Sequence, residues 1–199
     1  MKTVTALAVM VLAAATTFAD GVKLGDKAPM TDAKMKNVDG KEVSIAGVAG
    51  KNGTLVIFTC NHCPFAKAWE KRIADLGNAY AKKGVGVIAI NSNDPDSYAE
   101  DSYENMQKHA KSAPFEFPYA VDATSDVARA FGAKATPEVF LFDKDGKLVY
   151  HGAVDDNREA AKASQHYLND ALEAVVNSKP VSTTETKAVG CSIKFRAKA

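Results

Sequence analysis

An apolar run that ends on a pair of cysteines constrains this chain more than any other feature. Thr54-Leu55-Val56-Ile57-Phe58-Thr59 is continuous and rich in β-branched residues. A short run of that kind suits a strand buried on both faces. It leads directly into Cys60-Asn61-His62-Cys63-Pro64. Pro64 falls where a helix begins, since its missing N–H is one the first turn leaves unpaired anyway. Trp69, Ile73, Leu76 and Tyr80 recur behind it at helical spacing, and Gly84 ends the helix.

A strand, two thiols and a helix in that order carry a definite chemistry. Cysteines separated by two residues close a small disulfide loop. At the start of a helix the first thiol faces unpaired backbone N–H groups and the positive end of the macrodipole. Both favour the thiolate, which is the nucleophile. Cys60 is therefore the expected attacking thiol, and Cys63 the expected resolving thiol that releases a mixed disulfide. His62, beside the first sulfur, is expected to stabilise its thiolate. That stabilises the reduced form and makes the disulfide a stronger oxidant. Two buried, inert cysteines are the bland alternative. A zinc site is another: zinc asks for four ligands, which Cys60, Cys63, His62 and remote Cys191 supply on paper, but His62 is wedged between the two thiols and no second ligand pair exists.

The remaining pattern reads β, α, β, α, a short β, α, β, β, α. Glu42–Ile45 is a strand candidate after the turn at Asp39-Gly40. Val85–Ile90 is a second buried strand. Ala99, Tyr103, Met106 and Ala110 mark a helix, and Tyr119–Asp122 a short strand. Ser125 is a plausible cap for a helix ending near Phe131 and Gly132. Glu138–Phe142 and Leu148–His151 flank a turn too short for a crossover, so they pair antiparallel. Leu168 to Val176 forms a last helix, and residues 178–199 read as a polar tail. The order implies an α/β fold with a mixed central sheet flanked by helices. Thr136-Pro137 opens one of these strands. A cis bond there, facing the cysteines, leaves the preceding backbone free to pair with a substrate strand; a trans bond in an ordinary loop is the alternative.

The N-terminus reads as an export signal. Lys2 supplies the positive end, Val4–Ala15 the apolar run, and Thr17-Phe18-Ala19 a cleavage site before Asp20. The run is shorter than the ~20 residues a membrane span needs. Three domains of sequence follow: a signal peptide over 1–19, a folded domain over 20–177, and the tail over 178–199. The expected location is the periplasm or the exterior. With net charge +1 and scattered basic residues, the chain lacks the basic stripe of a nucleic-acid binder. Cys60, Cys63 and Cys191 are its three cysteines. Three is too few for a disulfide scaffold and leaves one thiol over. Cys191 is then either a redox partner of Cys60 or Cys63, a link to another chain, or an idle thiol. His109, His151 and His166 each stand alone, and Asp155-Asp156 reads as a solvated loop.

Together these segments resemble the thioredoxin superfamily, in its periplasmic thioredoxin-like branch that shades into the alkyl hydroperoxide reductase/thiol-specific antioxidant (redoxin) grouping. The likeness covers residues 22–177. It rests on Phe58-Thr59-Cys60-Asn61-His62-Cys63-Pro64 and on Ala135-Thr136-Pro137-Glu138-Val139, with a weaker match at Leu24-Gly25-Asp26-Lys27-Ala28-Pro29. It implies a thioredoxin-like fold with an N-terminal extension and an inserted helix, and an enzyme that exchanges disulfides with protein thiols and an upstream redox partner, without a cofactor. Catalytic roles are expected for Cys60, Cys63, His62, Pro137 and Glu138, with Thr136 and Pro137 binding substrate. Thioredoxins carry a buried acid in the strand before the motif, and this strand has none. Glu138 is the substitute the resemblance offers, as proton acceptor for Cys63. A peroxidase is one alternative, with Arg129 as its only obvious activating cation. A copper or metal chaperone is the other, although copper-delivery proteins of this fold space their cysteines one residue wider.

Overall fold

The computed structural model describes residues 21–197. The export signal over 1–19 lies outside the described residues. The elements are β1 (Met35–Asn37), β2 (Glu42–Val43), α1 (Ile45–Val48), β3 (Gly53–Phe58), α2 (Pro64–Ala81), β4 (Val85–Asn91), α3 (Tyr103–Ala110), β5 (Tyr119–Val121), α4 (Asp126–Phe131), β6 (Ala135–Thr136), β7 (Glu138–Asp143), β8 (Leu148–Gly152), α5 (Tyr167–Val176) and β9 (Cys191–Ser192). A 3₁₀ turn at Ala99–Asp101 precedes α3.

The central sheet is mixed. Its two ladders run β2-β1-β5-β4 and β3-β7-β8. They meet where β3 lies beside β4: Asn52 N donates to Gly84 O and Thr59 N to Ile90 O, each at 3.0 Å. β4 and β5 are parallel, while β3–β7 and β7–β8 are antiparallel. The continuous apolar strands are explained by cover on both faces. Leu55, Ile57, Val87, Ala89, Val139 and Leu141 pack with α2, α3 and α5, through Trp69, Ile73, Met106 and Leu172. Val56, Phe58, Ile88, Ile90, Phe140 and Phe142 point the other way, onto Phe131 and Val127 of α4 and Ile45 of α1. At about 1.5–3 kcal/mol per large apolar side chain, these two layers are the main stabilising term. They hold the ends of β3 and β4, which carry the site, in a fixed relation.

Two local readings change. The strand expected over Glu42–Ile45 stops at Val43, because Ser44 caps a short helix and its Oγ accepts Gly47 N at 3.1 Å. Ser125 precedes α4, but its hydroxyl donates to Ser92 O at 2.7 Å. The capping oxygen is supplied instead by Asp122, whose carboxylate accepts Ala128 N at 3.0 Å.

The segment after α5 lies along the sheet edge. His151 N donates to Thr184 O and Thr186 N to His151 O. β9 pairs antiparallel with β6, with Thr136 opposite Cys191 and Ala135 opposite Ser192. Ile193 is buried, and its N–H donates to Lys134 O at 2.9 Å. Lys194 N reaches Asn93 Oδ1 at 2.8 Å.

Candidate active site

β3 ends at Phe58, and α2 begins at Pro64 with Cys63 as its N-cap. The five residues between are pinned from both sides. Asn61 N donates to Asp101 Oδ1 at 2.7 Å, and Asn61 Nδ2 to Glu100 O at 2.8 Å. The Tyr119 hydroxyl donates to Asn61 Oδ1 at 2.9 Å. Burial pushes the Tyr119 phenol well up, so it stays a donor. Across the site, the Thr136-Pro137 bond is cis, as the sequence suggested. Cys60 Sγ lies 3.1 Å from Thr136 Oγ1, and Cys63 Sγ lies 3.2 Å from Thr136 O. The structure thus brings together Cys60, Cys63, Thr136 and Pro137.

Asp101 is the residue the sequence reading missed. It is fully buried and accepts four hydrogen bonds. Oδ1 takes Asn61 N and Asn91 Nδ2; Oδ2 takes His62 Nδ1 at 2.5 Å and Asn93 Nδ2 at 2.9 Å. The His62 ring, held at Nδ1, also stacks on Tyr98 with centroids 3.8 Å apart and planes 5° from parallel. Asp101 is the buried acid near the motif that β3 lacks, delivered by the loop after β4. The polar stretch Asn91-Ser92-Asn93-Asp94 was its available signal. It follows a fully buried strand, at the carboxyl end of the sheet where α/β sites form.

Protons are distributed unevenly over the sulfurs. A helix start beside Cys60 favours its thiolate. The N-cap is Cys63, however, and its sulfur has most of the donors. The Cys60 thiol shares its proton with Cys63, and Cys191 and the Ala66 N–H add hydrogen bonds. These hold the Cys63 thiol well below its ordinary value. Cys60 moves up, because its S–H serves Cys63, because it is buried, and because Asp101 stands close. The Cys191 thiol is pushed up to about 11 by burial and by its hydrogen bond to Cys63.

Glu138 is buried and turns its carboxylate to the loop before Pro137. Its Oε2 accepts Lys134 N at 2.7 Å and Ala135 N at 2.8 Å, and its Oε1 meets His151 Nε2 at 2.7 Å. Both oxygens are therefore used on the loop before Pro137 and on His151, with no cysteine among these partners. Arg129 donates to Thr124 O and Arg196 O and stacks over Phe195, so its partners are also away from the thiols. Asp155 is not solvated: it is buried, accepts Trp69 Nε1 at 2.7 Å, and pairs with Arg72. His109 pairs with Glu70. Ligand atoms of Cys60, His62 and Asp101 lie within 4.8 Å of one another, a spacing a metal ion fits. The Asp101 oxygens already carry two hydrogen bonds each.

The docking edge is also different from expectation. Thr136 was expected to offer a free backbone, but β9 fills that edge. Gly190 lies so close that a Cβ there would sit 2.1 Å from Thr136 O and 3.2 Å from Pro137 N. Cys191 packs against Cys60, Cys63 and Ala66.

Two thiols at a strand-to-helix junction, facing a cis-proline across a mixed sheet, define a dithiol protein of thioredoxin-like fold. The redoxin family model matches residues 23–168, and the chain belongs to that family; it is an oxidoreductase. It is similar to the thiol-disulfide oxidoreductase ResA of Geobacillus thermodenitrificans, 28% identical over 127 residues, which span 64% of this chain and 67% of that one. A ResA of Bacillus anthracis is 30% identical over 137 residues, 66% of this chain and 72% of that one. A conserved protein from Geobacillus kaustophilus superposes with a TM-score of 0.83 at 39% identity, covering 90% of this chain and 96% of its own. A protein of Sinorhizobium meliloti superposes at 0.82 with 34% identity, covering 90% and 98%. No helix among the described residues is long and apolar enough to cross a membrane.

Proposed function

We propose that this protein is an exported thiol–disulfide oxidoreductase that exchanges disulfides with protein substrates through Cys60 and Cys63. The observation that carries this reading is the seating of both sulfurs on Thr136, at 3.1 and 3.2 Å, beside the cis-proline. The ResA relatives, named for that activity, support it. Cys60 is the attacking thiol and Cys63 the resolving one. Pro137 shapes the surface that the substrate meets. His62, fixed by Asp101 and Tyr98, tunes the pair. Glu138 holds the loop that presents Thr136 and Pro137. Export follows from the signal over residues 1–19, and the oxidising compartment it implies suits a disulfide exchanger.

In this reading a substrate strand replaces β9 on β6. When β9 leaves, Cys63 loses the N–H and S–H donors of Cys191. The shared proton then shifts toward Cys63, and Cys60 becomes the nucleophile. Cys60 attacks one sulfur of the substrate disulfide, and the other leaves as a thiolate. Cys63 then attacks the Cys60 sulfur, closes the Cys60–Cys63 disulfide and frees the reduced substrate. The sequence runs backwards when the substrate is a dithiol.

Incubation of Cys63→Ser with a disulfide-bonded protein such as insulin tests this. The variant accumulates a mixed disulfide through Cys60, and Cys60→Ser gives none. Absence of an adduct with Cys63→Ser, at a level of insulin that wild type reduces, sinks the assignment. A redox titration then gives the direction of flow. A potential near −120 to −180 mV marks an oxidant or isomerase, and one near −270 mV a reductase.

A further inference from the structure

The described residues hold three sulfurs in one cluster, and the middle one is Cys63. It is fully buried, packs with Cys60 and Cys191 in one cluster, and lies against Thr136. Cys60 is 4% exposed, whereas Cys191 is half-buried and is the most accessible of the three. This contact is built by the tail. Gly190 presses on the Thr136-Pro137 peptide where a side chain would not fit. Cys191 pairs with Thr136 in the register of β6 and β9. Ile193 is buried, Lys194 N and the Arg196 side chain hold Asn93, and Arg196 N donates to Ser125 Oγ at 3.0 Å. Asn93 also donates to Asp101, so the tail's anchor is continuous with the network that fixes His62.

We propose that Cys191 is a third redox thiol, which takes over the disulfide from Cys60 by exchange at Cys63 while the tail is docked. This rests on the reading of Cys60 and Cys63 as a redox pair. After a substrate has been reduced, the oxidising equivalent resides in the Cys60–Cys63 bond. The Cys191 thiolate attacks Cys63 Sγ. A Cys63–Cys191 bond forms as the Cys60–Cys63 bond breaks, and the electron pair leaves on Cys60 Sγ. Cys60 takes up a proton in place of the one Cys191 released. No outside oxidant is consumed, because one disulfide and one thiol become another disulfide and another thiol. The exchange carries the disulfide from a closed site to the more open sulfur of Cys191, where a thiol reductant attacks it, and it leaves Cys60 reduced.

Peptide mapping under non-reducing conditions tests this. Wild type and Cys60→Ser are reduced, treated with oxidised glutathione, acid-quenched and alkylated. In Cys60→Ser the expected product is a Cys63–Cys191 disulfide, with alkylation of Cys191 falling about tenfold or more on oxidation. Wild type is expected to give both Cys60–Cys63 and Cys63–Cys191 peptides. If wild type gives only Cys60–Cys63, and Cys191 stays alkylated in Cys60→Ser, the third-thiol assignment is overturned while the redox pair stands. A Cys191–Cys191 link between two chains overturns it as well. If wild type forms no Cys60–Cys63 disulfide at any ratio of oxidant, the redox pair itself is overturned.

Discussion

Replacing Gly190 by Ala should unlock the thiols without touching a cysteine. A Cβ at this position meets Thr136 O at 2.1 Å and Thr136 C at 2.6 Å, both backbone atoms. Ordinary contact begins near 3.4 Å, so the tail must retreat by more than 1 Å. A retreat of that size breaks the pairing of β9 with β6, which involves two residues, Cys191 and Ser192. At roughly 1 kcal/mol for each pair, docking weakens by about 2 kcal/mol, or an about 30-fold larger undocked population. Cys60 is only 4% exposed with the tail in place, so its alkylation proceeds from the undocked state. The rate should follow that population when docking is fast. Timed iodoacetamide labelling of the reduced protein, read by mass spectrometry, should show Cys60 reacting about 30-fold faster in Gly190→Ala. Val189→Ala is the control: Val189 is 46% exposed on the same segment, and its loss should leave the rate unchanged. Circular dichroism establishes that both variants are folded. A folded Gly190→Ala whose Cys60 reacts at the wild-type rate would refute the claim that the tail shields the site.

Other perturbations test the supporting network. Asp101→Asn removes a fully buried charge paired with His62, and should cost about 3–5 kcal/mol in urea unfolding. Because Asp101 raises the Cys60 thiol, the variant's Cys60 should also titrate lower in a 240 nm thiolate assay. In wild type, that assay should show one thiolate forming below 9.0, lost in Cys63→Ser. A folded value lowered below the unfolded one stabilises fully above the unfolded value and less as pH falls. Reduced wild type should therefore lose its advantage over Cys63→Ser on acidification, as measured by denaturant midpoints. Glu138→Ala deletes three hydrogen bonds from the loop before Pro137 and should cost about 3 kcal/mol, against about 1 kcal/mol for Glu138→Gln. If Glu138→Gln instead keeps its stability and loses turnover, Glu138 acts as a proton acceptor rather than a support. The Glu70 carboxylate raises His109, so its contribution should be full below 6.5 and fade as pH rises further. His109→Gln should flatten the stability profile there.

What could be read from the sequence was set by short-range patterns. The run from Thr54 to Pro64 fixed a buried strand, two thiols and a helix start, because side-chain period and proline chemistry act within a few residues. Thr136-Pro137 before an apolar strand marked the opposite wall for the same reason. Likewise, the Asp143-to-Gly146 turn set the antiparallel pairing of β7 and β8. The supports of the site come from farther along the chain. Asp101 reaches His62 across 39 residues, and Glu138 turns to Lys134, Ala135 and His151 because the strand pairing points it there. No local periodicity carries that information, since it depends on where a loop runs once the sheet has formed. The tail is the clearest case. Its composition reads as polar, with a short ordered-looking patch over Val189–Phe195, and only the packed sheet edge gives Gly190 a carbonyl to lie against and Cys191 a second thiol to meet. The sequence determined that Cys60 and Cys63 fall together between a buried strand and a helix start. Tertiary structure decided that the Cys63 thiol is the one held low, that Asp101 joins His62 and Asn61 as a buried acid of the motif, and that Cys191 joins the cluster.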